Sequence, residues 1–330
     1  MTLPDARPEA EPSPGHVKLP RLARALVIGV VLTVVAYAVL VVVSDLDAVR
    51  AAATDVPGTA IGLAPLASTG NFVVRALRWD LYLARVGLSV PWLDRWLVFL
   101  AGFSMSLTPG KVGELLKPAL LSARHGTPAA PVGSVVVAER ITDLLAVALL
   151  LGLGALADPR VAAVAGLVWL GVLGGLAVLA SPRLAALALA VIRRLPLGGR
   201  IAGLVEGILE SLRALSRPAT LVPALLLSTG AWFLQCLSLF LVAGGLAGLE
   251  LSLLESVLAY TAPLLAGAAA LVPGGVGVAE ATMAGLVSEL GQGPLPVASA
   301  ATIIVRAVTL WWAVVVGLGA LGLWTLRGRR

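Results

Sequence analysis

Five uninterrupted apolar runs constrain this chain more than any other feature, because each is about as long as a lipid bilayer is thick. They contain no Asp, Glu, Lys or Arg and cover Ala25–Val43, Val56–Val74, Val161–Pro182, Pro218–Leu249 and Ala307–Leu326. Roughly 18 consecutive apolar residues are enough for a membrane-spanning helix. Charged residues make up 13% of the chain, against roughly 25% in a soluble domain. The sequence therefore predicts an all-α polytopic membrane protein with no sizeable aqueous domain.

The rare residue types argue against several function classes. The one cysteine, Cys236, lies in an apolar run, so neither an internal disulfide nor a cysteine-based metal site is predicted. His125 lies in the turn-like stretch SARHGTP, and we interpret it as a solvated loop residue. No P-loop, zinc-site spacing, dinucleotide fingerprint or nucleophile elbow is present. We therefore predict no cofactor or metal, and ATP-driven transport by this chain alone has no support.

The distribution of basic residues predicts an orientation. Residues 1–23 are polar and Pro-rich, which indicates a disordered tail. The first apolar run has 19 residues, longer than a signal-peptide core, so it is expected to stay as an uncleaved helix. Lys and Arg are concentrated in four segments, and basic loops tend to be cytoplasmic. These segments are 1–24, 75–95, 183–217 and 327–330. Residues 44–55, which carry one basic and three acidic residues, are expected to form a loop on the opposite side. We expect a protein of the cytoplasmic membrane with both termini in the cytoplasm and no nucleic-acid partner.

Two segments fit no ordinary crossing because a Pro-Gly break interrupts each of them. They are Trp96–Gly126 and residues 251–293. A helix over Trp96–Thr108 would be about 20 Å long, too short for the bilayer core. The breaks are formed by Pro109, Gly110 and Gly113 in the first segment and by Pro273, Gly274, Gly275 and Gly277 in the second. We predict two re-entrant helical hairpins in addition to about six full crossings.

A single offset of 164 residues aligns the two breaks and the helices around them. It maps residues 57–76 onto 221–240 and residues 130–157 onto 294–321. The pattern P-G-x-x-G is weak by itself, and coincidence is the alternative. The shared offset and the opposed basic loops predict an inverted-topology repeat. Its halves are 24–157 and 158–326, the second including an amphipathic cytoplasmic linker over 183–217. In such transporters the binding site lies between the repeats, on broken helices.

Lys111, Glu114 and Lys117 follow the first break on one face of a predicted helix. A helix N-terminus capped by Thr108 and flanked by lysines suits an anion. The predicted headgroup site comprises Thr108, Gly110, Lys111, Lys117 and Arg78. The alternative is that both lysines pair with Glu114 and extend toward the interface.

Arg75, Arg78 and Arg85 recur at helical spacing near a predicted cytoplasmic helix end. We favour interfacial anchoring for these arginines. Gathering of anionic headgroups is the second interpretation, and it is the one that places Arg78 in the headgroup site.

Further ionisable residues fall at predicted membrane depth, where charges are costly and face a partner or a cavity. The predicted charge network comprises Glu114, Glu139, Arg140, Asp143, Glu280 and Arg306. Glu280 could pair with a basic group of the other half. Arg306 needs a partner, for which Glu280 and Glu114 are the candidates. A network that only locks helix packing is the alternative, and the two interpretations are compatible.

The motifs RALRW, SLTPGKVGELLKP, VVAERITDLLA, VPGGVGVAEA and VRAVTLWW occur in this order. With them the chain resembles the lysylphosphatidylglycerol synthase transmembrane region, a flippase-like family, over about residues 24–326. The resemblance implies that the charged motif positions are Arg78, Lys111, Glu114, Lys117, Glu139, Arg140, Asp143, Glu280 and Arg306. In the synthases a similar region is linked to lipid movement, and a separate soluble domain transfers the aminoacyl group. That domain is expected to be absent here, so synthase activity is not expected.

The leading hypothesis is a flippase-like transporter of a polar-headed lipid, either a phospholipid or a polyprenyl-phosphate-linked glycan. Membrane lipids are the expected partners. The resemblance adds enzymes of cell-envelope lipid or glycan synthesis, and no oligomeric state is predicted. One alternative is an intramembrane lipid-modifying enzyme with Glu139 or Asp143 as its base. Another is a non-transporting membrane partner of a cell-envelope glycosyltransferase.

Overall fold

The computed structural model describes residues 46–54, 57–106, 114, 116–194, 215, 217–270 and 275–328. The regular elements of this part of the chain are helices, as predicted. They are α1 (Leu46–Thr54), α2 (Gly58–Arg85), α3 (Trp92–Ala101), α4 (Leu116–His125), α5 (Ala129–Gly154), α6 (Ala162–Ala180), α7 (Pro182–Arg193), α8 (Pro218–Ala243), α9 (Leu253–Ala269), α10 (Val278–Leu290), α11 (Leu295–Arg306) and α12 (Trp312–Arg327). A 3₁₀ turn over Gly102–Met105 follows α3, and a π-helical turn over Ala307–Trp311 joins α11 to α12.

Four helices in the described part are long and apolar enough to cross a membrane. They are Gly58–Arg85, Pro159–Val178, Pro218–Ala243 and Leu295–Arg327. Helix α5 has 26 residues, about 39 Å at the α-helical rise, and carries Glu139, Arg140 and Asp143 near its middle. The run Ala25–Val43 lies outside the described residues. These lengths support a multi-pass membrane protein, and the count of six crossings stays a prediction.

Two pairs of short helices flank the predicted Pro-Gly breaks. Helices α3 and α4 have 10 residues each, and α9 and α10 have 17 and 13. None reaches the 20 residues that a straight crossing needs. Pro109, Gly110, Gly113, Pro273 and Gly274 lie outside the described residues, as does most of the second half of the linker 183–217. The re-entrant path of both hairpins therefore stays a prediction.

Two glycines of the second break lie in the described part of the chain, and both have a positive φ, which residues with a side chain rarely adopt. Gly275 has φ of 71° and Gly277 has φ of 86°. A Cβ on Gly267 of α9 would lie 2.9 Å from the Cα of Gly275. The glycines thus allow the chain to turn into α10 and allow α10 to pack closely against α9.

Helices α2 and α8, which the 164-residue offset makes equivalent, pack along each other. The offset pairs Asn71 with Gln235, and each amide side chain contacts the other helix. Asn71 Nδ2 donates to the carbonyl of Ala231 at 2.6 Å, and Ser68 Oγ donates to Gln235 Oε1 at 3.4 Å. Two helices related by a local two-fold axis would make reciprocal contacts of this kind. The inverted orientation of the halves is still a prediction.

Two local predictions were wrong. Residues 44–55 were expected to form a loop, but Leu46–Thr54 form α1, which packs on α11. His125 was expected in a solvated loop, but it lies in the last turn of α4, with Nε2 3.0 Å from Asp94 Oδ2. A local pattern cannot show that a distant element supplies the packing surface or the partner.

Candidate functional site

Asp143, in the middle of α5, is the centre of a buried charge cluster. Its Oδ1 accepts hydrogen bonds from Arg78 Nη1 at 2.5 Å and from Trp232 Nε1 at 3.1 Å. Its Oδ2 lies 3.4 Å from Arg75 Nη2 and 3.0 Å from Arg140 Nη2. Three arginines and a tryptophan therefore converge on one carboxylate, and helices α2, α5 and α8 are joined there.

Glu139 lies one turn earlier on α5 and joins this helix to α4. Its Oε2 accepts from Lys117 Nζ at 2.9 Å, and its Oε1 lies 3.4 Å from Arg78 Nη2. Side-chain exposure is 0% for Arg78, Lys117 and Glu139. An unpaired charge on a side chain this deeply buried would be strongly unfavourable, so the protein needs these ion pairs in order to fold.

Lys117 is enclosed by aromatic rings as well as by carboxylates. Its Nζ lies 5.0 Å from the ring centre of Trp79 and 4.7 Å from that of Phe99. A Cβ on Gly102 would lie 2.7 Å from Lys117 Cε, so the 3₁₀ turn has no side chain at the place where the lysine passes. Cation–π attraction adds to the two ion pairs of this ammonium group.

Glu114 closes the cluster on the side of the first break. Its Oε2 lies 3.2 Å from Lys117 Nζ and 3.2 Å from Arg140 Nη2. Among the described residues, the cluster then holds four cations, Arg75, Arg78, Lys117 and Arg140, and three anions, Glu114, Glu139 and Asp143, so four minus three leaves one net positive charge. Such an excess in a low-dielectric region favours an anionic ligand.

A second, separate ion pair lies in the other half of the chain. Arg306 Nε donates to Glu280 Oε1 at 2.8 Å, and both side chains are buried. Of the two candidate partners predicted for Arg306, Glu280 is the one that it contacts. The expectation that Glu280 pairs across to the first half is wrong, because α10 and α11 pack against each other and bring Arg306 within reach. Glu280 Oε2 also accepts the backbone N–H of Gly277 at 2.6 Å and so caps α10.

The two ion pairs occupy equivalent positions in the sequence. Glu114 and Arg140 are 26 residues apart, as are Glu280 and Arg306, and an offset of 166 residues maps one pair onto the other. The second break has two more residues than the first between its proline and its glutamate. This insertion explains why the offset is 164 before the breaks and 166 at these ion pairs, so the predicted match of residues 130–157 with 294–321 is displaced by two residues.

Between the halves lies a cavity of about 330 Å³ that both ion pairs border. Its charged lining is Arg75, Arg140, Asp143 and Arg306. Its aromatic lining is Phe72, Phe103, Trp232 and Tyr260, and four leucines add apolar surface. A chamber with apolar walls and a few convergent polar groups is the usual form of a binding site.

The predicted site residues are partly brought together here. Glu114, Glu139, Arg140 and Asp143 form one cluster, and Glu280 and Arg306 form the second pair. Thr108, Gly110 and Lys111 lie outside the described residues. Arg78 and Lys117 are paired with the network carboxylates and are absent from the cavity lining among the described residues. Phosphate contact by either of them stays a prediction.

Interfacial anchoring was the wrong interpretation for Arg75 and Arg78, which are 6% and 0% exposed. Arg85, further along α2, is exposed. The site prediction also missed Arg75, Trp232 and Tyr260, which line the cavity. Arg75 could have been included because it stands three residues before Arg78 and shares its helix face. The two aromatic residues lie within apolar runs and carry no local signal.

Comparison with known proteins agrees with this architecture. The chain is similar to a UPF0104 membrane protein of Methanothermobacter thermautotrophicus, with 27% identity over 282 residues. That alignment covers 79% of this chain and 81% of the relative. The family described as the lysylphosphatidylglycerol synthase TM region matches residues 26–317, which contain every residue described as lining the cavity. This chain is therefore a multi-pass membrane protein and belongs to the lysylphosphatidylglycerol synthase TM region family.

Proposed function

We propose that this protein moves a polar-headed lipid across the cytoplasmic membrane, with the head passing through the cavity between the two halves. The observation that carries the proposal is the shared lining. Arg75 and Arg140 come from the first half and Arg306 from the second, and all three border one chamber. Ionisable residues inside a membrane protein usually mark the path of a substrate or an ion.

The paired design supports a mechanism in which the halves move relative to each other. Each half holds one carboxylate–arginine pair that joins the start of the helix after its break to the next helix along the chain. Exchange of these pairs with a lipid head would let one side of the cavity open while the other stays closed. The lipid tails remain in the bilayer, so only the head has to be desolvated.

The orientation proposed for this path follows from the basic loops. Lys and Arg are concentrated in residues 183–217 and at the two ends of the chain, which favours a cytoplasmic location for these segments. The lipid head would then move between the cytoplasmic leaflet and the opposite leaflet.

The proposal is tested by reconstitution into liposomes that contain a trace of headgroup-labelled lipid. A membrane-impermeant quencher destroys label in the outer leaflet only, so empty liposomes keep about half of their signal. Wild-type protein should lower the protected signal. Arg140→Ala and Lys111→Ala should slow the loss, whereas Arg85→Gln, an exposed arginine of α2, should match wild type.

Folding of each variant is checked by gel filtration and by its thermal unfolding midpoint before the transport rates are compared. Equal signal in empty liposomes, wild type and all variants would remove the transport proposal. Chemical conversion of the labelled lipid without movement, read by mass spectrometry, would instead favour an intramembrane enzyme.

A further inference from the structure

We infer that the cavity binds the phosphate ester of a lipid whose head is small and carries a net negative charge, with Arg75, Arg140 and Arg306 as its ligands. The inference deepens the proposed function and rests on it for the route by which the lipid arrives. The inference favours a small anionic phospholipid among the candidate substrates. A lipid whose head carries an added ammonium group and a lipid whose head consists of several sugars are both disfavoured.

The first argument is the state of the arginines. Arg75 and Arg140 each have a buried Nε–H for which no acceptor is found among the described residues. Both side chains line the cavity. Arg75 is held only loosely by Asp143, at 3.4 Å, and its guanidinium lies 5.1 Å from the ring centre of Phe103 and 5.9 Å from that of Trp232. Buried donors without acceptors are uncommon and costly, and phosphate oxygens are the acceptors that guanidinium groups bind best.

The second argument is that the described lining of the cavity offers no spare carboxylate for a cationic head. Asp143 is the one acidic residue in the described lining, and both of its oxygens already have partners. Glu280, behind Arg306, uses one oxygen for that arginine and the other for the N–H of Gly277. An ammonium group would meet three arginines and could find an anion only by breaking an existing ion pair.

The third argument is size. A cavity of about 330 Å³ is at the lower limit of the range for small-molecule sites, roughly 300–1,000 Å³. A phosphate with a glycerol-sized substituent suits this volume. An oligosaccharide linked to a polyprenyl phosphate does not.

The fourth argument favours a lipid over a free phosphate ion. Leu144 lines the cavity and is 49% exposed, so an apolar side chain with accessible surface lies beside the arginines. A phosphate ester can pack its tails on such apolar surface while its head meets the arginines, whereas a free phosphate ion gains nothing from that surface.

The test measures binding directly, without transport. Purified protein in detergent is titrated calorimetrically with dioctanoyl phosphatidylglycerol, dioctanoyl phosphatidylcholine and inorganic phosphate. We expect the anionic lipid to bind at least about tenfold more tightly than the zwitterionic one, and inorganic phosphate to bind more weakly than the anionic lipid.

The variants separate the arginine site from general charge. Arg75→Gln should weaken binding of the anionic lipid by about tenfold, since a hydrogen-bonded charge is lost. Arg75→Lys keeps the charge and should recover part of the affinity. Arg85→Gln, on the same helix but exposed, should bind as wild type does. Leu144→Trp leaves the charges intact and should weaken lipid binding by changing the apolar surface on which the tails pack.

Equal binding of the anionic and zwitterionic lipids, or equal binding by Arg75→Gln and wild type, would overturn the inference. Inorganic phosphate that binds as tightly as the anionic lipid would overturn the assignment to a lipid. If the anionic lipid binds but does not move across the liposome membrane, the transport proposal is wrong and the phosphate site is supported. If both lipids move at the same rate and neither binds selectively, transport is supported and the proposed phosphate site is wrong.

Discussion

Arg306 contacts Glu280 at 2.8 Å, and this pair repeats the contact of Arg140 with Glu114 at the same spacing along the chain. In each half, a carboxylate near the start of a short helix binds an arginine on the next helix along the chain. Among the described residues, the first pair belongs to a cluster of seven charges, and the second is an ion pair between two buried side chains. The larger charge cluster of the described chain therefore lies in the first half, and a common origin of the two pairs stays a prediction.

Neutralising Glu280 should destabilise the protein more than neutralising a surface glutamate of the same helix. Glu280→Gln leaves Arg306 buried without a counter-charge, and loss of one partner of a buried pair costs about 3–5 kcal/mol. Glu289→Gln affects a pair with Arg160 in which the glutamate is 55% exposed, and such pairs contribute about 0–1 kcal/mol. Unfolding of both variants in detergent by denaturant measures the difference. Equal losses of unfolding free energy in the two variants would contradict the burial of the Glu280–Arg306 pair.

Removal of Asp143 should be partly rescued by removal of Arg75. Asp143→Asn takes away the carboxylate on which three arginines converge and should cost at least about 3 kcal/mol of unfolding free energy. Arg75→Gln in the same chain lowers the uncompensated positive charge, so the double variant should be more stable than the sum of the single changes predicts. Coupling of about 0.5–3 kcal/mol is expected for residues in one network. A strictly additive double variant would contradict the direct contact.

Two glycines of α12 should respond in opposite ways to alanine. A Cβ on Gly317 would collide with the backbone of Ser104, so Gly317→Ala should push α12 away from the 3₁₀ turn and cost about 1–3 kcal/mol. A Cβ on Gly319 would meet open space, so Gly319→Ala should be neutral or stabilise the helix by up to about 1 kcal/mol. Thermal unfolding midpoints compare the two variants. Because Phe103 of the same turn lines the cavity, Gly317→Ala should also weaken ligand binding, and Gly319→Ala should leave it unchanged.

Asp158, just before the span Pro159–Val178, should make stability depend on pH. Hydrogen bonds from the side chain and backbone N–H of Arg160 lower the pKa of Asp158 below its ordinary 3.8. A group whose folded pKa is lowered contributes stability above its unfolded pKa and loses it as the pH falls through the folded value. The difference in unfolding midpoint between wild type and Asp158→Asn should therefore be constant above about pH 5 and shrink below pH 3.8. A constant difference down to pH 2.5 or so would contradict this assignment.

Sequence reasoning identified most of the charged residues of the site and could not determine their partners. Apolar context marked Glu139, Arg140 and Asp143 as charges at membrane depth. It could not show that Lys117 reaches Glu139 on another helix, because that contact depends on how α4 packs against α5. Arg75 was interpreted as an anchor because a helix end rich in arginine is typical of an interface. The packing of α8 against α2 enclosed it instead.

By itself the sequence determined the helical class, the membrane environment and the spacing of the two breaks, since these depend on the length of apolar runs and on local backbone chemistry. Tertiary structure alone decided which carboxylate each arginine meets, and that Glu280 pairs within its own half. It also decided that three guanidinium groups share one chamber. Partner choice depends on distances between helices far apart along the chain, and no local pattern of residues contains those distances.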